Sequence, residues 1–318
     1  MESKLKKAKL VVFISGLLVI FSACGAGKNI SLKLKEYKAA VAGLNAGNEW
    51  YKKGCYERAL ESVFKSHELF SLFDNQEGVA KSFNNLGNIY RAKKDTESAV
   101  LFFDEAIRIY KMIHDERGMV QAISNKSAVY IDLERYDEAD ICLNEAEKLS
   151  AKGSFTYPPV LNNRGILLTR SGRHAEAKTV LRKALSVVKK ENHFEYSAVN
   201  FALGNLMLEM KNYKEAGSYL NKALEMDKKA GFNKGIAGDL FAIGSLYVHS
   251  GDPDSALGYL QRSLKIYTLQ NDKQNADKVR DLLTQSVNKV DDKSGDTVVT
   301  DYFIGLWNNG TRLTVPCE

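Results

Sequence analysis

AKSFNNLGNIYRAKKDTESAVLFFDEAIRIY, residues Ala80–Tyr110, is the stretch whose reading decides the fold. Within it Phe83, Leu86, Gly87 and Tyr90 recur at helical spacing, and Ala99, Phe103 and Ala106 do so on a second helical run. The mixture of small and large residues has a packing reason. Gly87 and Ala99 let two antiparallel helices approach, while Leu86, Tyr90 and Phe103 fill the seam between them. One such hairpin leaves apolar faces uncovered and needs neighbours stacked on it.

The neighbours lie at steps of 38 to 40 residues, which lead from Gly87 to Gly47, Ser127, Gly165, Gly204 and Gly244. Each stands twelve residues before an alanine: Ala59, Ala99, Ala139, Ala177, Ala216 and Ala256. Seven residues further on a small side chain returns, as Ser66, Ala106, Ala146, Ala184, Ala223 and Ser263. A larger slot holds Trp50, Tyr90, Tyr130, Leu168, Met207 and Tyr247. This pattern, from about Ala40 to Leu269, resembles the tetratricopeptide repeat, with Phe83 in the usual Trp position and without the closing Pro. Lys126 and Arg164 stand where that family has Leu. The repeat length and the NNLGNIY phrase resemble the longer-repeat branch, which includes kinesin light chain and bacterial peptide-pheromone receptors.

The resemblance implies an all-α, right-handed superhelix of six helix-turn-helix repeats over residues 32–290. Turns between repeats are expected near His114–Gly118, Gly153, Glu191–His193 and Gly231–Gly235, and Asp252-Pro253 reads as an N-cap followed by Pro at the first helical position. Asp272–Val290, with Ala276, Val279, Leu282, Leu283 and Val287 on one stripe, reads as a capping helix. Residues 291–318 read as a linker followed by two β-prone runs about Asn309-Gly310, a short β-hairpin tail. Two strands alone are marginal in water, so the hairpin must lie on the solenoid, pair with a partner or be disordered.

The amino terminus reads as an export signal over residues 1–23, with a basic MESKLKKAKL segment, an apolar run from Leu10 to Phe21, and small residues before a cut. Phe21-Ser22-Ala23-Cys24 resembles the lipobox of bacterial lipoproteins. That likeness implies acylation of Cys24, a tether over 24–31 and, with Gly25 following, the outer membrane facing the periplasm in a two-membrane bacterium or the outer face of the only membrane in a single-membrane host; the alternative is an ordinary secretory signal with a chance cysteine. The signal segment carries three of the six net positive charges, so the mature chain has no basic stripe of the kind nucleic-acid binding requires. GAGK at 25–28 lacks the first glycine and the closing Ser or Thr of a phosphate loop. Apart from Cys24 the cysteines are an odd set. Cys55 and Cys142 fall in different repeats, too far apart to bridge, so buried or idle thiols are expected, with Cys317 on the tail the one candidate for pairing.

No nucleophile elbow, kinase set, dinucleotide fingerprint or zinc-protease helix appears, and the five histidines are scattered; no catalytic residue, cofactor or metal is expected. In the tetratricopeptide family the first helix of each repeat lines the concave groove. Carried over, that face holds Asn45, Asn48, Tyr51, Asn84, Asn85, Asn88 and Arg91, then Gln121, Asn125, Asn162, Asn163 and Arg170, and finally Phe201, Asn205 and Phe241. An amide presents donor and acceptor together, so a ladder of asparagines can grip one peptide unit after another; the alternative is that they bond each other, their helices or water. Phe201, Leu208, Phe241 and Val248 make the far end of that face more apolar. The expected function is a membrane-anchored scaffold that captures a peptide or protein segment during assembly of an envelope complex. A ligand-handling subunit accompanying a transporter is the second reading, which a closed apolar cavity would favour; a degenerate enzyme is the third, which a converging acid/base pair would support.

Overall fold

In the computed structural model, residues 35–153, 157–288, 296–309 and 317 are described. They form helices α1 (35–53), α2 (Tyr56–Leu72), α3 (Gln76–Ala92), α4 (Thr96–Met112), α5 (Glu116–Asp132), α6 (Tyr136–Lys152) and α7 (Pro158–Arg170). These continue as α8 (His174–Val187), α9 (His193–Glu209), α10 (Tyr213–Ala230), α11 (Asn233–Ser250), α12 (Pro253–Leu269), α13 (Lys273–Val287) and α14 (Asp296–Asn308). Six hairpins, α1–α2 to α11–α12, stack in order with α13 closing the row on α12, and the described residues hold no strand. The signal segment, Cys24 and the tether lie outside the described residues.

Half of these helices are 17 residues long, about 25 Å at 1.5 Å per residue. They are joined by one kind of turn. Residues with left-handed φ stand at Gly54, Asp74, Lys94, His114 and Glu134, and again at Lys211, Gly231, Gly251 and Asn271, twenty apart in each run. The Lys94 amide donates to the Arg91 carbonyl and the Asp95 amide to that of Tyr90, both at 3.0 Å, and the other turns repeat this pairing of a Schellman stop. The residue that ends one helix this way caps the next: Asp95 Oδ1 accepts from the Ser98 amide, and Asn75, Asp115, Asn192, Asn212, Asp252 and Asp272 accept likewise.

The small-residue pattern explains the packing. Ala59, Ala99, Ala139, Ala177, Ala216 and Ala256 are all fully buried, as are Ala106, Ala146, Ala184 and Ala223. A Cβ on Gly87 would stand 2.6 Å from the Phe103 ring, one on Gly204 2.6 Å from Leu220, and one on Gly165 2.3 Å from Leu181. Where the pattern departs from leucine, ion pairs replace apolar packing. Lys126 Nζ donates to Asp104 of α4 at 2.6 Å, and Arg164 donates to Glu147 at 2.9 Å and to Asp140, both on α6.

Two expectations are corrected. The first β-prone run is helix α14, because Ile304 buries itself among Leu260, Leu264 and Val279, with Trp307 packed alongside, and a helix satisfies its own backbone where a lone hairpin cannot; the second run lies outside the described residues. Cys55 is not an idle thiol. It is bonded to Cys317, 262 residues away, whereas Cys142 is free and buried as expected.

The disulfide marks a larger feature, for the superhelix closes on itself. Phe232, the N-cap of α11, stacks on Tyr51 of α1 with ring centres 6.2 Å apart, and Asn233 Nδ2 donates to the Lys53 carbonyl at 3.3 Å. Lys234 Nζ reaches the Ala92 carbonyl at the end of α3 at 3.4 Å and lies over the Tyr56 ring. Burial, with Lys94 nearby, pulls the Lys234 ammonium pKa down to about 8. Gly54 is needed at this join both for its left-handed φ of +81° and because a Cβ would meet Gln270 at 2.8 Å.

Candidate functional site

The concave wall is built from the first helix of five successive hairpins. α1, α3, α5, α7 and α9 together line a cavity of about 740 Å³. Helical spacing puts Asn45, Asn48 and Lys52 of α1 on one stripe, and the 40-residue repeat sets Asn85 and Asn88 of α3 and Asn125 of α5 beside them. Asn162 and Asn163 of α7 continue the wall. The closing contacts complete the enclosure, since Phe232 also meets Phe194 of α9 edge to face at 5.0 Å. Three rings, Phe194, Phe232 and Tyr51, thus bridge from the fifth hairpin to the first.

Of the residues read from the sequence, Asn85, Asn88, Arg91, Asn125, Asn162 and Asn163 come together in this cavity. Asn84 lies behind it, 2% exposed. Arg170 is exposed at the end of α7 and away from it, and Phe201, Asn205 and Phe241 do not line it either. The apolar far end packs against the core while staying partly exposed: Phe201 and Leu208 lie against the cluster of Leu203, Leu206 and Leu240, and Phe241 and Val248 against that of Leu260 and Leu264. The aromatic surface that does face the cavity is Tyr51, Tyr157 and Phe194, beside Pro158 and Pro159. The signal for the α7 group was present in Tyr157-Pro158-Pro159, since two prolines at a helix start fix the first turn that projects into the concavity.

The amides are partly engaged with one another. Asn85 Nδ2 donates to Asn48 Oδ1 and Asn125 Nδ2 to Asn84 Oδ1, both at 3.0 Å, and Asn163 Nδ2 donates to the Ser124 carbonyl at 2.8 Å. Each bond joins the inner helices of adjacent hairpins. Asn85 and Asn125 each use one of their two amide protons, which leaves a further donor and oxygen lone pairs on both, whereas Asn163 Nδ2 also lies within reach of the Ser124 and Ser127 hydroxyls, at 3.2 and 3.4 Å. Asn162 is 8% exposed, and its Oδ1 has no hydrogen-bond partner.

The charges are few. Lys52 pairs with Glu49 at 2.7 Å and Arg91 with Asp132 at 2.8 Å. Burial raises the Glu195 carboxyl above its usual range, offset in part by a hydrogen bond from Asn192, and it raises the Tyr51 phenol. No group of three or more metal-ligating side chains occurs among the described residues. One carboxyl pair whose ionisation is suppressed by burial does converge, Asp227 and Asp239, but it is buried between α10 and α11 beside Ser197 and lies outside the cavity.

A closed row of helical hairpins with an amide-lined concave wall defines a binding solenoid. Tetratricopeptide repeat models match residues 37–112, 156–229 and 198–268, and a second such model matches 120–152. The chain belongs to the tetratricopeptide repeat family, whose folds bind peptide or protein partners as interaction scaffolds. No curated protein sequence matches it. Among solved structures it is similar to a Rap protein complexed with competence and sporulation factor, at 14% identity and TM-score 0.60, covering 91% of this chain and 94% of that one. BtubC from P. vanneervenii matches at 18% identity and TM-score 0.51, covering 68% and 92% respectively. Aspartyl phosphate phosphatase F from Bacillus subtilis matches at 15% identity and TM-score 0.51, covering 81% and 72%. At these identities the likeness is one of fold.

Proposed function

We propose that the chain is a lipid-anchored, non-catalytic interaction module that holds an extended peptide segment in its central cavity and serves assembly of a bacterial envelope complex. The observation that carries the capture step is the amide wall: Asn85, Asn88, Asn125, Asn162 and Asn163 from three successive inner helices face one space. Pairing between hairpins fixes Asn85, Asn125 and Asn163, so their remaining hydrogen-bonding groups are pre-organised for a backbone rather than lost to side-chain entropy. Attachment rests on Cys24, whose place after an apolar run supports acylation, and two or three acyl chains make anchoring stable.

Two measurements test this. Asn88→Ala with Asn125→Ala should weaken capture of segments from a random hexapeptide pool about tenfold, at 0.5–1.5 kcal/mol per lost bond, with helicity unchanged; equal capture would refute the amide wall. Cys24→Ser should move the protein from the membrane to the soluble envelope fraction and abolish labelling with palmitate. Retention in the membrane would refute the anchor. The second reading, a small-molecule subunit of a transporter, draws on the cavity's volume and on Tyr51, Ile89, Tyr157, Ile166 and Phe194 in its wall, but the amides beside them make it no closed apolar cavity.

A further inference from the structure

The ring closes through a join that one reversible covalent bond secures. Among the described residues α2 and α3 pack along no helix beyond α5, and the Tyr51–Phe232 stack and the Asn233 and Lys234 hydrogen bonds cross the join from single residues at turns. Two groups there oppose closure. Lys234 is desolvated with one carbonyl at 3.4 Å and a tyrosine face in return, and Gln270 Nε2, against Gly54, is buried with no hydrogen-bond partner among the described residues. A bond that keeps the two edges at high effective concentration, Cys55–Cys317, decides the state of such a join.

That bond is placed for exchange. Both cysteines line a cleft of about 650 Å³; Cys317 is partly exposed and Cys55 only 2% exposed, so an incoming thiolate meets Cys317 Sγ first. Cys55 is the N-cap of α2, where the helix N-terminus favours a thiolate. Lys53, Arg58, Lys94 and Lys273 in the same cleft stand against Asp272, since Glu57 is paired with Lys93. A leaving thiolate stabilised in this way departs faster.

We propose that the Cys55–Cys317 disulfide is a redox latch that a dithiol donor opens. One thiolate of the donor attacks Cys317 Sγ and forms a mixed disulfide with it, while Cys55 leaves as the thiolate and takes up a proton. The donor's second thiol then displaces Cys317, so two electrons and two protons pass to the latch and the donor ends as a disulfide. With the tie cut, Phe232 withdraws from Tyr51, a residue of the cavity wall, and the cavity gains a lateral opening between the first and sixth hairpins. The inference concerns the join and does not depend on what the cavity holds.

The test uses dithiothreitol on the full chain without denaturant, with iodoacetamide trapping and mass spectrometry to follow the two thiols. Reduction should proceed at a rate within about tenfold of that for the urea-unfolded chain, as expected of an accessible disulfide. Hydrogen exchange at 53–56 and 232–234 should then rise at least about tenfold while α5 and α9 keep their protection, and reoxidation should restore it. Cys317→Ser, which leaves the start of α2 intact, should show the exchange of the reduced chain with or without dithiothreitol. A bond that yields only after urea unfolds the chain would overturn the latch. So would a reduced chain whose exchange at the join matches that of the oxidised one.

Discussion

Gly87 and Phe103 meet so closely that no larger side chain fits without moving a buried ring. Gly87→Val should cost about 1–3 kcal/mol by overpacking, read as a lower denaturation midpoint at unchanged slope. Arg164 is the converse case, a cation in an apolar slot held by α6 carboxylates. Arg164→Leu restores the residue the repeat pattern expects and should change stability by less than about 1 kcal/mol, since exchanging a part-buried ion pair for packing is often neutral. The Asp227 and Asp239 carboxyls are 4% and 1% exposed, and burial raises both above the ordinary range near 4; the Asp227 charge raises Asp239 further, while hydrogen bonds with Ser197 and Asp239 hold Asp227 back. A group whose proton is held more tightly in the folded state stabilises at low pH and loses that contribution as pH rises. Stability should therefore fall from pH 5 to pH 8, and Asp239→Asn should flatten that slope and raise stability at pH 8 by at least about 1 kcal/mol. An unchanged pH profile in thermal melts would show that the two acids do not share a proton.

The repeating element is a helix and its left-handed stop, and several stops are occupied by residues that dislike that conformation. Lys94 and Lys211 have φ of 68° and 58°. An L side chain costs about 1–2 kcal/mol there, partly offset by the greater freedom glycine has when unfolded, so Lys94→Gly and Lys211→Gly should each stabilise by about 0.5–1 kcal/mol in thermal melts. These elements were legible in the sequence wherever function was carried by residue size at fixed spacing: Gly87, Ala99 and Ala106 specify a hairpin because each must fit a neighbour in the same or next unit. The tail was not legible. Val298, Val299 and Ile304 favour strands by propensity, yet the exposed flank of α12 offered an apolar surface that a short helix could cover. Half of the inner wall was legible by the same register argument. Glu195 and Phe194 were not, since nothing local distinguishes a first-turn residue that faces the cavity from one that faces water.

At the scale of the whole molecule the decisive contacts join residues 142 to 262 positions apart and have no period to reveal them. Tyr51, Phe232, Asn233 and Lys234 are single residues at turns, and Cys55–Cys317 secures the same join. Cys55→Ser should lower stability by about 2–4 kcal/mol and raise hydrogen exchange at 53–56 and 232–234 well above that of α9 and α10. Equal exchange in both proteins would mean the aromatic and lysine contacts hold the join without the covalent tie. An open array of hairpins can gain or lose a unit by gene duplication and merely grow longer or shorter. Here a seventh pair would carry Phe232 past Tyr51, and a fifth-only version would stop short of it, so evolution can alter the lining of this molecule freely but cannot change its tally.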